Sequence, residues 1–445
     1  MAGRSSPITL STKLHKIATL AREAPDRVLT TLAHHIDVDF LREAYRRTRK
    51  DGATGVDGQT AAEYAEDLEA NLQSLLDRLK SGAYVAPPVR RAYVPKDKGG
   101  ESRPIGIPTF EDKVLQRAVA MILEAVYEQD FVDSSYGFRP GRSAHQALQS
   151  LWDQVMRMHG GWVIKVDIKS YFDTLSHRHL RGFLDQRVRD GVIRRMIDKW
   201  LKAGVLEEES LRFSDAGVPQ GSSVAPILSN VFLHWVFDHW FEHEVRPRLT
   251  GEAVFYRFAD DIVVVCALER DAHRIMAVLP KRFGKYGLML HPDKTRVIRF
   301  RRPPYRSNGG RGHHLEWPES FDLLGFTHYW GRSRHGNWVI KRKTAKRRLS
   351  RALKRINTWC RRYRHAKVGW QHQQLVLKVR GHYAYYGITG NDRGLKHFRY
   401  GVMRRWKRWL NRRSHRSGMD WDRFNLLLKH YPLPDTRVRH ATLRA

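Results

Sequence analysis

Cysteine is almost missing from this sequence: of 445 residues only Cys266 and Cys360 are cysteines, each inside its own periodic segment. Neither a disulfide framework nor a zinc knuckle can be assembled from them, and a reducing compartment is expected. Long apolar runs are missing too. No stretch of about 18 apolar residues occurs, and the opening MAGRSSPITLSTKLHK lacks the apolar core of a secretion signal. Neither secretion nor membrane spanning is expected, and the cytoplasm, in association with the nucleoid, is the expected place. Acids are absent throughout the interval between Asp322 and Asp392.

Against these absences stands an excess of positive charge. The chain has 80 Lys+Arg and 46 Asp+Glu, a net charge of +34. The last 115 residues, from Gly331, hold 32 Lys+Arg against four acids, Asp392, Asp420, Asp422 and Asp435, which leaves +28 in that tail. Ordinary solvated surfaces mix both signs, so a one-signed segment points to a polyanion partner. The tail is no disordered arm, because Trp338, Trp359, Trp370, Trp406, Trp409 and Trp421 run through it and Ile356, Trp359 and Tyr363 fall at helical spacing. Basic side chains interleaved with aromatic ones suit phosphate neutralisation plus stacking on bases, in RNA or DNA. With 41% hydrophobic and 11% aromatic residues the chain folds, and its length suits two or three domains.

Hydrophobic periodicity predicts polar helix in residues 1–35, then helices near 39–49, 60–80, 110–129, 143–158, 177–189, 192–203, 226–242 and 271–286. A hairpin with a basic tip is expected over 86–108, and strands at 162–166, 253–258, 262–266 and 296–300. The Gly-rich segment 303–317 is expected to be a loop linking two strands at the sheet edge. This order implies an α+β fold, an antiparallel sheet with helices on one face.

Asp167 ends the apolar strand WVIKVD, while Asp260 and Asp261 sit between two β-rich runs in a tight turn. Carboxylates are costly in such places unless a cation meets them. Three acids converging there would make a magnesium site, and two hard divalent ions can activate an attacking hydroxyl and stabilise a leaving pyrophosphate. An adjacent acid pair in a turn is by itself usually only solvated. The ordered context VDIKSYFD, PQGSSVAP and YRFADD is what makes it specific.

With these and further strings in order, TGVDG, SRPIGIPTFEDKVLQRA, SYGFRPGRSAHQAL, GLMLHPDKT, FDLLGF, GHYAYYG and WDRFNLLLKHYPLP, the chain resembles the bacterial group II intron-encoded reverse transcriptase/maturase family, in its lineage without an endonuclease domain. The resemblance implies a right-hand polymerase with fingers and an antiparallel-sheet palm, then an α-helical thumb and a basic helical C-terminal segment. Its implied boundaries are 1–85 for an N-terminal extension and the start of the fingers, 86–330 for fingers and palm, 331–390 for the thumb/maturase domain and 391–445 for a DNA-binding segment.

Asp167, Asp260 and Asp261 would be catalytic and, with the Ile168 carbonyl, would hold two Mg2+ ions, for which Mn2+ could substitute. Phe172 would lie under the incoming sugar and select deoxynucleotides. Lys96, Arg103, Gln220, Gly221 and Lys294 would contact the nucleotide, Lys294 as proton donor to pyrophosphate. Leu323, Leu324, Gly325 and Phe326 would grip the primer. Phe258 stands where the family usually has tyrosine, and Ala225 where it usually has serine. Implied partners are intron RNA as template, a DNA target and primer, and dNTPs, without a membrane; monomer and dimer stay open. The implied function is RNA-directed DNA polymerisation with assistance to intron splicing and mobility. A related polymerase recruited to phage defence or another host role, and a splicing cofactor that no longer polymerises, are the competing readings.

Overall fold

The computed structural model describes residues 10–95, 102–207, 210–212, 215–218, 221–303, 318–414 and 418–440. In chain order its elements are α1 (Leu10–Glu23), α2 (Val38–Arg47), α3 (Ala61–Glu66), α4 (Leu68–Ser81), β1 (Val89–Pro95), β2 (Ser102–Ile107), α5 (Phe110–Tyr127), α6 (Ala144–Arg157), β3 (Trp162–Val166), α7 (Tyr171–Thr174), α8 (His177–Asp185) and α9 (Gly191–Lys202). They continue as β4 (Val205–Glu207), β5 (Ser210–Arg212), α10 (Ala225–Leu233), β6 (Ala253–Phe258), β7 (Asp261–Cys266), α11 (Glu269–Lys285), β8 (Arg296–Arg299), β9 (Phe321–Leu323), β10 (Phe326–Arg332), β11 (Trp338–Thr344), α12 (Lys346–Arg362), α13 (Val368–Tyr386), α14 (Asp392–Leu410) and α15 (Trp421–His430).

The chain forms two compact units, one of Met1–Ala147 with Ile164–Val297 and one of Leu148–Val163 with Ile298–Ala445. The first is built around α5, whose sequence VLQRAVAMILEAVY is buried nearly all round, from Val114 through Tyr127. A helix with no polar face belongs in the middle of a core. Thr109 caps it by accepting from the Asp112 amide. The hairpin expected over 86–108 is present, β1 against β2 antiparallel, but β4 pairs parallel to β1, so a four-stranded sheet β2-β1-β4-β5 forms. The three-residue strands β4 and β5 are too short to leave a periodic signal. A second sheet has the order β6-β7-β3-β8. Every residue from Ile262 to Cys266 is buried, so both faces of β7 are covered, not one as expected.

Several helices differ from their predicted extents. Of the expected helix over 1–35, the described residues are α-helical only at Leu10–Glu23, with a 3-10 turn at Ala33–His35. The run 60–80 is broken at Asp67 into α3 and α4, and 226–242 is α10 followed by π-helical turns at His234–Asp238 and Phe241–Val245. Such turns mark places where a helix re-aims its side chains.

In the second unit, α12 to α15 enclose Leu353, Ile356, Cys360, Leu375, Val379, Leu395, Phe398, Trp406 and Phe424. Trp406 Nε1 donates to Gln371 Oε1 at 2.8 Å, and Gln371 Nε2 donates to the Tyr363 carbonyl at 2.7 Å. One buried amide thus ties α13 and α14 to the end of α12. The segment opening this basic region is not helix: β11 pairs with β10 in a sheet of order β11-β10-β9. From α6, Trp152 Nε1 donates to the Ile340 carbonyl at 2.9 Å. The Gly-rich segment 304–317 and the tip of the first hairpin, 96–101, lie outside the described residues. Among the described residues no helix is long and apolar enough to cross a membrane.

Candidate active site

Asp167 directly follows β3, and its backbone is fixed by the segment that precedes β8. The His291 amide donates to the Asp167 carbonyl and the Lys169 amide to the Met289 carbonyl, both at 2.8 Å. Between them Ile168 and Leu290 face each other as an antiparallel bridge. They are the pair that exchanges no bonds, so the Ile168 carbonyl takes no part in that ladder. Thr295 Oγ1 accepts from the Asp167 amide at 3.2 Å. Lys294 Nζ donates to Asp167 Oδ1 at 3.2 Å, with both side chains partly exposed. The string HPDKT therefore gives Asp167 both a rigid backbone and a counter-charge.

The second acid position lies on the strand beside it. β6 and β7 pair from Ala253↔Cys266 to Phe258↔Asp261, which leaves Ala259 and Asp260 as a two-residue turn. Asp261 is thus the first residue of β7, not part of the turn. Ala259 takes φ +56°, a left-handed conformation that costs a non-glycine residue energy and persists only where neighbours enforce it. One neighbour is Gly137: a Cβ there would stand 2.2 Å from the Ala259 nitrogen. The Tyr136 amide donates to the Arg257 carbonyl at 2.8 Å, so the SYGF segment runs along the outer edge of β6.

Among the described residues no group of three or more His, Cys, Asp or Glu side chains is arranged to hold a metal ion, so the expected three-acid convergence is not preassembled. Asp260 stands in the turn and Asp261 opens β7. The donor set, carboxylates at the ends of hydrogen-bonded neighbours β3 and β7, still fits a hard cation. Magnesium is held by one or two carboxylates, with water and substrate phosphates completing its shell, rather than by an all-protein cage.

Around this point the other predicted residues divide. Phe172 is half-buried on α7, edge-on to Tyr171 with ring centroids 5.2 Å apart, and its carbonyl accepts from the Val218 amide at 2.8 Å. The buried Tyr171 hydroxyl donates to the Ser229 carbonyl at 2.9 Å. Burial raises its pKa, and the nearby Asp260 carboxylate adds to the rise. Asp260 is therefore within electrostatic reach of the segment that follows Asp167. Gly221 has φ +114°, and a Cβ would meet the Gly106 carbonyl oxygen of β2 at 2.6 Å. What excludes a side chain there is the chain's own β2.

The loop after Gly221 is pinned from below. Gln116 Oε1 accepts from Ser222 Oγ at 2.7 Å and from the Ser223 amide at 2.8 Å. Gln116 Nε2 donates to Asp112, which also accepts from Tyr84 Oη at 2.8 Å and Trp200 Nε1 at 2.6 Å. Burial pushes the Asp112 carboxyl up to about 6 against the pull of these three donors. Arg103 lies on β2, paired to Val94, but its side chain is outside the described residues, as are Lys96 and Gln220.

Leu323, Leu324, Gly325 and Phe326 form the β9–β10 hairpin in the second unit. Leu324 and Gly325 have φ +48° and +82°, the signature of a tight two-residue turn. Tyr385 Oη donates to the Leu324 carbonyl at 2.8 Å, and Phe326 is buried against Tyr385 and Tyr386. The strings FDLLGF and GHYAYYG therefore pack on each other.

Sequence reading missed the buried support. Arg257, inside YRFADD, is fully buried, as is Asp238. Arg257 donates to Asp238 at 2.7 and 2.5 Å, to Asn230 Oδ1 at 2.9 Å and to the Ala259 carbonyl at 3.3 Å. An arginine inside the apolar run VFYRF, just ahead of two acids, is the one signal that could have flagged it.

Residues 94–328 match the family described as reverse transcriptase (RNA-dependent DNA polymerase). Protein YkfC of Escherichia coli is 33% identical over 325 residues, covering 65% of this chain and 84% of YkfC. The group II intron-encoded protein LtrA of Lactococcus lactis is 37% identical over 251 residues, 54% of this chain and 41% of LtrA. The putative COX1/OXI3 intron 1 protein of Saccharomyces cerevisiae is 32% identical over 61% of this chain and 38% of its own length. The chain spans most of YkfC and less than half of each of the two intron proteins. A family match across more than half the chain and relatives at a third identity agree, and the chain belongs to the reverse transcriptases, RNA-directed DNA polymerases, of the group II intron reverse transcriptase/maturase type.

Proposed function

We propose that this protein copies a group II intron RNA into DNA during intron mobility and, by binding the same RNA, assists its splicing. What carries the reading is that Asp167 and the Asp260–Asp261 pair stand at the ends of neighbouring strands in a chain of reverse transcriptase type. In this proposal Asp167, Asp260, Asp261 and the Ile168 carbonyl hold two Mg2+ ions, Mn2+ being a substitute. Bound there, the ions would lower the pKa of the primer hydroxyl and offset charge on the leaving pyrophosphate.

The remaining roles fall to the chain's own groups. Phe172 closes the space beside the sugar, Gly221 and Gln220 border the base, and Lys96 and Arg103 meet the triphosphate. Lys294, which donates to Asp167 Oδ1 at 3.2 Å, would be the proton donor to pyrophosphate. Leu323, Leu324, Gly325 and Phe326 hold the primer end. Residues 1–85, 86–330, 331–390 and 391–445 divide these tasks among extension, fingers and palm, thumb and DNA-binding segment. The positive residues after Gly331 face intron RNA and target DNA.

The test is primer extension on an RNA template with dNTPs, with and without Mg2+, comparing the protein with its Asp260→Ala/Asp261→Ala form. Long Mg2+-dependent cDNA from the first alone, with RNA binding equal in both, is the expected result. A folded protein that binds intron RNA tightly and restores splicing, yet makes no cDNA, would overturn the polymerase reading in favour of a splicing cofactor.

A further inference from the structure

Removing a guanidinium and a carboxylate from water costs several kcal/mol per ion, and an apolar pair of equal volume is often as stable or more so. A fully buried ion pair is therefore poor economy if stability alone is at stake. Arg257 and Asp238 are such a pair, each with no exposed side-chain surface. Their neighbours show what else the pair does. Arg257 Nη1 reaches Asn230 Oδ1 at 2.9 Å and the Ala259 carbonyl at 3.3 Å, two residues further on in the turn. Asn230 Nδ2 donates to the Gly137 carbonyl at 2.7 Å. Gly137 in turn lies so close to Ala259 that a Cβ would come within 2.2 Å of its nitrogen. The left-handed residue of the β6–β7 turn is thereby held at its carbonyl by Arg257 and at its nitrogen side by Gly137, and both holds converge on Asn230.

The carboxylate end is fixed as firmly. Asp238 closes the first π-helical turn after α10. A π-helical turn spoils the regular carbonyl ladder, and here Arg282 of α11 donates to the Trp235 and Val236 carbonyls at 2.9 and 2.8 Å. The irregular turn re-aims Asp238 at Arg257 and is stabilised in doing so.

We propose that Asp238, Arg257 and Asn230 form a buried positioning clamp that holds Ala259 in its strained conformation and so sets the direction of Asp260 for metal and substrate. None of the three touches the reacting atoms; they act through the turn. The inference rests on the polymerase reading, since it assigns Asp260 a task for which direction matters.

The experiment uses the full chain and three forms: wild type, Arg257→Met/Asp238→Leu, which replaces the ion pair by apolar side chains, and Arg257→Lys, which keeps the charge but loses the planar fork. Thermal melting and primer–template binding report folding. Metal-free amide hydrogen exchange at 258–262 reports the turn, and primer extension across a Mg2+ titration reports function. The clamp predicts a double variant that melts near wild type and binds primer–template equally, yet exchanges the turn amides faster. Its kcat should fall on the order of 10²-fold, the cost of a misplaced group, with a raised Mg2+ requirement and a dNTP KM that changes less. Arg257→Lys should show the same pattern, and decides the matter if the double variant does not fold. Wild-type turn exchange and Mg2+ dependence in a folded variant would reduce the pair to core packing and overturn the proposal. A wild type that extends no primer at all overturns the polymerase reading itself, and the clamp falls with it.

Discussion

Gly137 leaves no room for even a methyl group. Its missing Cβ is replaced by the backbone of Phe258 and Ala259, at 2.8 and 2.2 Å. Gly137→Ala therefore forces one backbone away from the other, and overpacking of this kind costs about 1–3 kcal/mol. Because the segment displaced carries Asp260, primer extension should fall far more than stability does, on the order of 10²-fold. Equal losses in denaturant melts and in extension rate would contradict this. Asp112 makes a different prediction. Its carboxyl is pushed from 3.8 up to about 6 by burial. The unfolded chain therefore loses that proton first, and this group's contribution to stability falls as pH rises from about 4 to about 6 and is level above. The fall is about 3 kcal/mol. Subtracting the denaturation curve of Asp112→Asn from that of the wild type should isolate the slope, and a flat difference across that range would refute it.

Among the elements, those with a clean period were legible. The β6–β7 hairpin announced itself because VFYRF and IVVVC flank a gap too short for anything but a turn, and α5 because apolar residues recur around its whole surface. β11 was hidden. Its inward positions are Trp338, Ile340, Arg342 and Thr344, and a buried arginine in the third place reads as one more charge in a basic segment. The acids and Phe172 stand in ordered strings that can be read along the chain, whereas Asp238 and Asn230 reach Arg257 across 19 and 27 residues and Gly137 joins them through Asn230 across 93, with no string linking the four. In the helical unit, Trp406 is wholly buried and bonded to Gln371. Trp406→Ala should destabilise that unit by about 3–5 kcal/mol, read as loss of its transition in chemical denaturation. An unchanged transition would show that α12 to α15 do not depend on this core.

For the molecule as a whole, charge dominates. With +28 after Gly331, binding to RNA should release counterions. Engaging about 6–10 phosphates lowers affinity 10³–10⁵-fold between roughly 50 and 200 mM salt, and a log–log plot of affinity against salt tests this directly. A shallow slope would mean that aromatic stacking, not charge, holds the RNA.

The interleaving of the two units has a consequence for how the chain is made. α6 is threaded early, yet Leu148 is buried with Phe326 and Ile388, and Arg342 donates to the Leu148 carbonyl at 3.3 Å. These partners leave the ribosome more than 170 residues later. At about 5–20 residues per second, α6 therefore waits on the order of ten seconds or more with its apolar stripe unmatched. A message truncated after Val297 would leave Leu148 without these partners for good.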